Sequence, residues 1–343
     1  MTMDHSALPP SKGLSVHAIA LPSNQPADRF YAGGARISAF RGEAPSSAMT
    51  PEDWVASTTS VRDDAPAGLT RLPSGEMLAA AIDRDPVAWL GEAHVGRFGT
   101  DTKLLVKLLD AGQRLPVHAH PDREFAREHL GAHHGKAEAW YILSPGTVYL
   151  GLTRPVTTEE LSELVNSQQA ERLLTLTHAV DVEPHDTVFV PAGLLHAIGQ
   201  GVLLAEVQEP EDLSILLEWR GFALDGAISG HLGLGFDVAL AAVEHDGRTR
   251  EEVEALIRRN VGSGPALVPS SAEFFRLERV TTEARIEAGF AIVIVLEGAV
   301  TLTESSEATQ RFDAGSTVVV PAAAGPFTLA GGTVLVARPP VAS

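Results

Sequence analysis

The 343-residue chain contains no cysteine. That excludes disulfides and thiolate ligands, so a metal bound here would use nitrogen and oxygen donors. Basic residues are scarce: 26 Lys and Arg stand against 44 Asp and Glu, a net charge of −18. Sequence-independent nucleic-acid binding needs Lys and Arg to displace phosphate counterions, and this balance argues against it. An anionic small substrate would need a local basic cluster. No run approaches the roughly 18 apolar residues of a membrane span. Met1 to Pro26 is polar, rich in Pro and Ser, and lacks the apolar core of a signal peptide. The expectation is a soluble, cytoplasmic protein. Aromatics make up only 6% of the chain. Its 31 glycines and 22 prolines suit many turns between strands.

Residues 27–100 read as mixed structure, with a strand region over Phe30–Phe40, a helix start at Thr50-Pro51-Glu52-Asp53 and a short helix over Ser74–Ile82. From Lys103 short apolar or alternating runs predict strands at Leu104–Leu109, Leu115–His120, Lys136–Leu143, Val148–Leu152, Val180–Val182, Thr187–Pro191 and Val202–Val207. A helical pattern interrupts them over Thr157–Leu176. Residues 236–260 are again helical, with Thr249 and Glu252 spaced as a capping box. Strands return at Ala291–Leu296, Val300–Leu302, Ser316–Pro321 and Thr333–Ala337.

Pro184–Ala192 resembles Ala314–Ala322 at an offset of 130. Two related all-β units in one chain is the simple reading. Residues 265–343 contain no histidine, so only the first unit can hold a histidine-rich metal site.

The chemistry concentrates in two short passages. On a strand, residues i and i+2 share a face, so His118 and His120 point the same way, as do Lys136 and Glu138, with Trp140 and Ile142 continuing that face. An inward face carrying His, Lys and Glu is costly unless something binds there. His196 follows in Pro191-Ala192-Gly193-Leu194-Leu195-His196. Three imidazoles and one carboxylate suit a first-row divalent metal. Glu124 competes for the carboxylate role, but its place in a turn leading to a polar helix reads as a solvated first-turn acid. His129, His133 and His134 read as exposed loop residues, and His185 as a turn residue where the second unit has Gly315. His5, His17, His94, His178, His231 and His245 have no partner pattern. Gly131–Ala137 has the wrong spacing and context for a phosphate-binding loop.

Gly112, His118, His120, Pro191, Gly193 and His196 match by spacing the cupin pattern G-x5-H-x-H followed by P-x-G-x2-H. Lys107-Leu108-Leu109-Asp110, Val117–Asp122, Gly135–Ile142, Val190–Ala197 and Glu206-Val207-Gln208 together resemble the type I mannose-6-phosphate isomerases. Glu52–Ser57 looks like an N-terminal segment of the same family. The resemblance implies a mainly β fold of two cupin-type (jelly-roll) β-barrels with a few helices between and around them. It divides the chain into an N-terminal segment packing on the barrels (1–100), a catalytic metal-binding barrel (101–220), a helical connector (221–264) and a metal-free barrel (265–343).

By the same resemblance, one zinc ion is bound by His118, His120, Glu138 and His196, with His118 replacing the family's more usual Gln or Lys. The implied reaction is aldose–ketose isomerisation, mannose 6-phosphate to fructose 6-phosphate or a related sugar, through an enediol. Lys136 is the local acid/base candidate, with Asp212 and Arg220 as further catalytic candidates. Two positions depart from the family. Leu216 stands where it has an Arg, which Arg220 replaces only if the backbone shifts, and Pro116 stands where it has a Ser. Both fall where a substrate phosphate would be read, so a preference for another or an unphosphorylated sugar is expected. Two other functions fit the same residues: an Fe(II) cupin oxygenase and a non-catalytic sugar-binding cupin.

Overall fold

The computed structural model describes residues 17–44 and 47–342, and His5 lies outside them. Four antiparallel sheets form two sandwiches. In the first, one sheet has six strands in the order Ile257–Arg258, Thr187–Val190, Glu138–Ile142, Leu203–Gln208, Leu105–Asp110 and Glu52–Val55. Its partner runs Ile215–Leu216, His118–Ala119, His196–Ile198, Gly146–Leu152 and Thr177–Val182. In the second sandwich, six strands run Ile19–Leu21, Thr317–Val320, Ala291–Glu297, Thr333–Arg338, Arg276–Val280 and Gly264–Pro265. They face Ala284–Ile286, Phe327–Ala330, Ala299–Thr303 and Thr309–Asp313. Such pairs of antiparallel sheets are the jelly-roll solution to covering strand edges.

The repeat seen in the sequence has a structural meaning. Thr187–Val190 lies beside Glu138–Ile142, and Thr317–Val320 lies beside Ala291–Glu297, in matching registers. The turns before them need a left-handed residue, and His185 (φ 75°) and Gly315 (φ 86°) supply it. Residues from the outer faces of both six-stranded sheets, including Ala139, Tyr141, Phe189, Ile292, Ile294 and Val319, join one apolar cluster. Burying these faces against each other ties the two sandwiches together. The chain before the first sandwich serves both, because Ile19–Leu21 pairs with Thr317–Val319 and Glu52–Val55 with Val106–Leu109.

Three local expectations are corrected. Phe30–Phe40 is not a strand: residues Ala35–Arg41 form a helix that buries Ile37 and ends at Gly42, whose left-handed backbone lets its N–H reach the Ser38 and Ala39 carbonyls. Thr50–Asp53 does not start a helix. Glu52–Val55 is a fully buried edge strand whose pairing and Trp54 burial outweigh the local capping signal, and the Thr50 hydroxyl instead donates to the Ser47 carbonyl. His134 is not an exposed loop residue but is buried against Asp101, with Nε2 to Oδ2 at 2.6 Å. That hydrogen bond, working against burial, holds the Asp101 carboxyl at about 2.

Other helical expectations hold in part: residues 236–260 are not continuously helical but carry short helices at Phe236–Ala239 and Arg250–Glu254, and Ile257–Arg258 is a strand paired with Thr187–Val188. Leu78–Arg84, Thr158–Asn166 and Ala170–Thr175 are helical, and Thr249 and Glu252 form a complete capping box on Arg250–Glu254. No helix among the described residues is long and apolar enough to cross a membrane.

Candidate metal centre

Two strand segments and one loop bring the histidines together. His118 and His196 sit directly opposite each other on paired strands. His120 continues the same face, and its carbonyl accepts the Gly193 N–H at 2.8 Å, which ties the H-x-H passage to the Pro-x-Gly-x-x-His passage. Gly193 has φ 84°, a conformation glycine adopts at no steric cost. The ring centroids of His118, His120 and His196 lie 4.0–5.0 Å apart, and a potential ligand atom from each falls within 4.8 Å of the others.

Each ring is oriented through Nδ1. His118 Nδ1 is 2.8 Å from the Pro116 carbonyl, His120 Nδ1 is 2.7 Å from that of Leu213, and His196 Nδ1 is 2.8 Å from that of Leu194. Donation from Nδ1 to a backbone oxygen leaves the Nε2 lone pair free, the arrangement typical of metal-ligating imidazoles. Among the described residues, His196 Nε2 is buried with no hydrogen-bond partner. Such an orphan costs free energy unless something binds it.

Glu138 closes the fourth side. Its Oε2 is 3.0 Å from His120 Nε2 and its Oε1 is 3.4 Å from His196 Nε2. The Trp140 indole N–H donates to Oε1 at 3.0 Å and fixes the carboxylate. Lys136 Nζ bridges Glu138 Oε2 (2.8 Å) and His120 Nε2 (2.9 Å). Burial, then the neighbouring His196, His120 and Lys136, pushes His118 well below its ordinary pKa. Burial, reinforced by Lys136, pushes His120 down to about 3. Burial works to raise Glu138, but Lys136 and His120 outweigh it and hold the carboxyl well below the usual range. At neutral pH His118 and His120 are therefore neutral and the Glu138 carboxylate ionised, the forms that coordinate metals. The donor set, the free Nε2 atoms and the orphaned His196 nitrogen all fit a divalent cation.

His118, Lys136 and Glu138 border a cavity of about 490 Å³. Asp212 also borders it and accepts the Arg62 backbone N–H at 3.1 Å. Arg220 does not reach the cavity: it is exposed, and its backbone N–H donates to Gln168 Oε1. Glu124 is exposed in the first turn after Asp122, as its sequence context implies.

Sequence reasoning missed a second buried polar row. Lys107 lies opposite Glu206 and Trp54 on the paired strands, 3.4 Å from Glu206 and 3.8 Å from Glu52. Tyr31 donates to Glu52 at 2.6 Å and the Trp54 indole at 2.7 Å. Arg29 and Lys107 overcome burial to hold Glu52 at about 2, whereas burial and the nearby Glu138 push Glu206 up. A lysine alone among Leu104–Leu109 was the available signal.

No family model matches the chain. It is 38% identical over 117 residues to the mannose-6-phosphate isomerase ManA of Bacillus subtilis, which covers 33% of this chain and 36% of that protein. It is 31% identical over 186 residues to the mannose-6-phosphate isomerase of Streptococcus mutans, 52% of this chain and 54% of that one. In sequence, this chain is a relative of the mannose-6-phosphate isomerases. The match spans about half the length of such curated relatives, or less.

The crystal structure of the Bacillus subtilis mannose 6-phosphate isomerase superposes with a TM-score of 0.72 at 24% identity, covering 94% of this chain and all of that one. A mannose 6-phosphate isomerase bound with zinc and yttrium gives a TM-score of 0.72 at 19% identity, covering 95% of this chain and all of that one. At these identities the superpositions establish the shared fold: a mainly β protein of two cupin barrels.

Proposed function

We propose that the protein is a zinc-dependent aldose–ketose isomerase acting on mannose 6-phosphate or a related sugar. The observation that carries this reading is the convergence of three oriented imidazoles, Glu138 and Lys136 at one end of a cavity of about 490 Å³. Sequence kinship with the mannose-6-phosphate isomerases supports the reaction class. The zinc in one structural neighbour supports the choice of metal.

His118, His120, Glu138 and His196 would hold the ion. A divalent cation there supplies positive charge for the negative charge that develops on the sugar oxygens during enolisation. Isomerisation also needs a group that takes the proton from C2 and returns it to C1, or the reverse. Lys136 is the residue for this role, because its amine borders both the ligand set and the cavity. Lys136 Nζ lies between Glu138 and His120, beside the residues that would hold the ion. Asp212, on the cavity wall, accepts hydrogen bonds and orients sugar hydroxyls there.

The test is NMR of zinc-loaded protein with sugars and sugar phosphates in deuterated water. Ketose formation with deuterium at C1, and exchange at C2 of the remaining aldose, are expected, and Lys136→Met abolishes both while leaving zinc bound. Zinc and sugar binding with no exchange for any sugar would instead mark a binding protein.

A further inference from the structure

The second sandwich has a cavity where the first has its histidines. The two six-stranded sheets match strand for strand, so Thr333–Arg338 stands where Leu203–Gln208 stands, and Arg276–Val280 where Leu105–Asp110 stands. In the facing sheets Ala284–Ile286 takes the place of His118–Ala119. Ala322 and Ala323 follow Ala192 and Gly193 at the 130-residue offset. A cavity of about 790 Å³ opens among these four segments, and the helices Pro86–Leu90 and Glu92–Phe98 border it. It lies at the mouth of the valine-packed interior: Arg276 and Arg338 continue the sheet face that carries Val280, Val334 and Val336.

The chemistry of this mouth is the reverse of a metal site. Arg276 and Arg338 are directly opposite each other on paired strands, an arrangement that costs free energy for like charges. Arg338 is only 7% exposed. Burial, then the charge of Arg276, lowers its pKa, and Glu278 and Glu287 only partly offset them. An arginine nevertheless keeps its proton at neutral pH. Glu92, Glu278 and Glu287 line the same cavity, yet among the described residues neither Arg276 nor Arg338 makes an ion pair.

Each guanidinium is oriented by one backbone oxygen. Arg276 Nε donates to the Pro339 carbonyl at 2.8 Å, and Arg338 Nη2 donates to that of Ala288 at 3.0 Å. Gly289 (φ 139°) leaves room for the second contact, because a Cβ there would fall 2.8 Å from Arg338 Nη2. Arg338 Nε is sealed off. Both Nη groups of Arg276 and Nη1 of Arg338 have no hydrogen-bond partner among the described residues, and none of these three is sealed.

A buried cation without a contacting counter-charge is costly, and an anion in contact with it removes that cost. Planar guanidiniums with free Nη groups match the oxygens of a carboxylate or a phosphate. We propose that the mouth of the second barrel binds a small oxyanion, the carboxylate or phosphate group of a metabolite, between Arg276 and Arg338. The three carboxylates nearby favour a single such group over a polyanion. This site lies in the barrel without histidines and does not depend on the isomerase reading.

The experiment is calorimetric titration of the zinc-loaded protein with inorganic phosphate and, separately, with acetate at constant ionic strength. One binding event is expected that Arg276→Met and Arg338→Met each weaken about tenfold or more, as the loss of a hydrogen bond to a charged group predicts, with zinc content unchanged. Binding of phosphate alone names a phosphate ester, and binding of acetate alone names a carboxylate. Circular dichroism checks folding, and if the buried Arg338 variant does not fold, the half-buried Arg276→Met decides. No binding of either anion at millimolar concentration overturns the proposal. Binding that Arg276→Met leaves unchanged places the anion elsewhere and overturns it too.

Discussion

The two sandwiches share a strand plan but fill it in opposite ways. Glu138 pairs with Val190, and Ala291 pairs with Val320, the residue 130 positions on. Trp140 and Val293 correspond likewise, and the strand beside them carries Glu206 in one sandwich and Val336 in the other. His196 corresponds by the same offset to Pro326. The second sandwich packs Val293, Val295, Val300, Leu302, Val318 and Val336 into a dry interior. The first gives up that packing for histidines, carboxylates and lysines surrounding a cavity. One barrel is filled for stability, and the other forgoes some of it to hold ligands.

The comparison breaks most sharply if the first interior is rewritten toward the second. Glu138→Ala copies Ala291 and is expected to abolish stoichiometric zinc binding, measured by elemental analysis after desalting. The loss should exceed the roughly 10–100-fold that outer-shell changes cost. Retained zinc at one equivalent would remove Glu138 from the ligand set. Next comes Lys107→Ala, which leaves Glu52 and Glu206 buried without their lysine. Breaking a buried ion pair costs about 3–5 kcal/mol, read as a lower denaturation midpoint.

In the second interior, Leu302→Ala is expected to cost about 2–5 kcal/mol by opening a cavity, with zinc content and turnover unchanged. A coupled loss of zinc would show that the barrels are not energetically separable. Zinc at 100 times its dissociation constant should stabilise the wild type by about 2.7 kcal/mol and His196→Ala far less, seen as a shift in melting temperature.

The most gradual effect is in pH. His120, held at about 3 in the fold against an ordinary 6.5, stays neutral while the unfolded chain takes up a proton. Metal-free protein should therefore be fully stabilised above about pH 6.5 and lose stability as pH falls from there toward 3, by up to about 1.4 kcal/mol per unit per histidine. His118, depressed by burial, adds in the same direction. Replacing both with Asn should flatten that part of the profile.

Periodicity and spacing reach a long way here. The alternation around His118-Ala119-His120 and Lys136-Ala137-Glu138, the Pro-x-Gly-x-x-His spacing and the 130-residue repeat all become contacts in space. They were legible because strand geometry is local: a two-residue period dictates which side chains share a face. The errors came where tertiary burial overrode local chemistry. Thr50-Pro51-Glu52-Asp53 carries a helix-start signature, yet Glu52–Val55 completes a sheet edge. His134 sits in a polar loop, yet Asp101, 33 residues earlier, buries it.

Arg220 shows the limit most directly. Four residues from Leu216 in sequence, it is exposed and does not line the cavity, while Arg29 and Arg62, far upstream, do. The sequence by itself determined the candidate ligand residues, the two-barrel plan and which barrel carries the histidine cluster, because each depends on residue identity at fixed local spacing. Only the tertiary structure decided which distant charges meet across the cavity and which cancel. Coulomb energies depend on separation in space and on burial, and neither is written in the order of the residues.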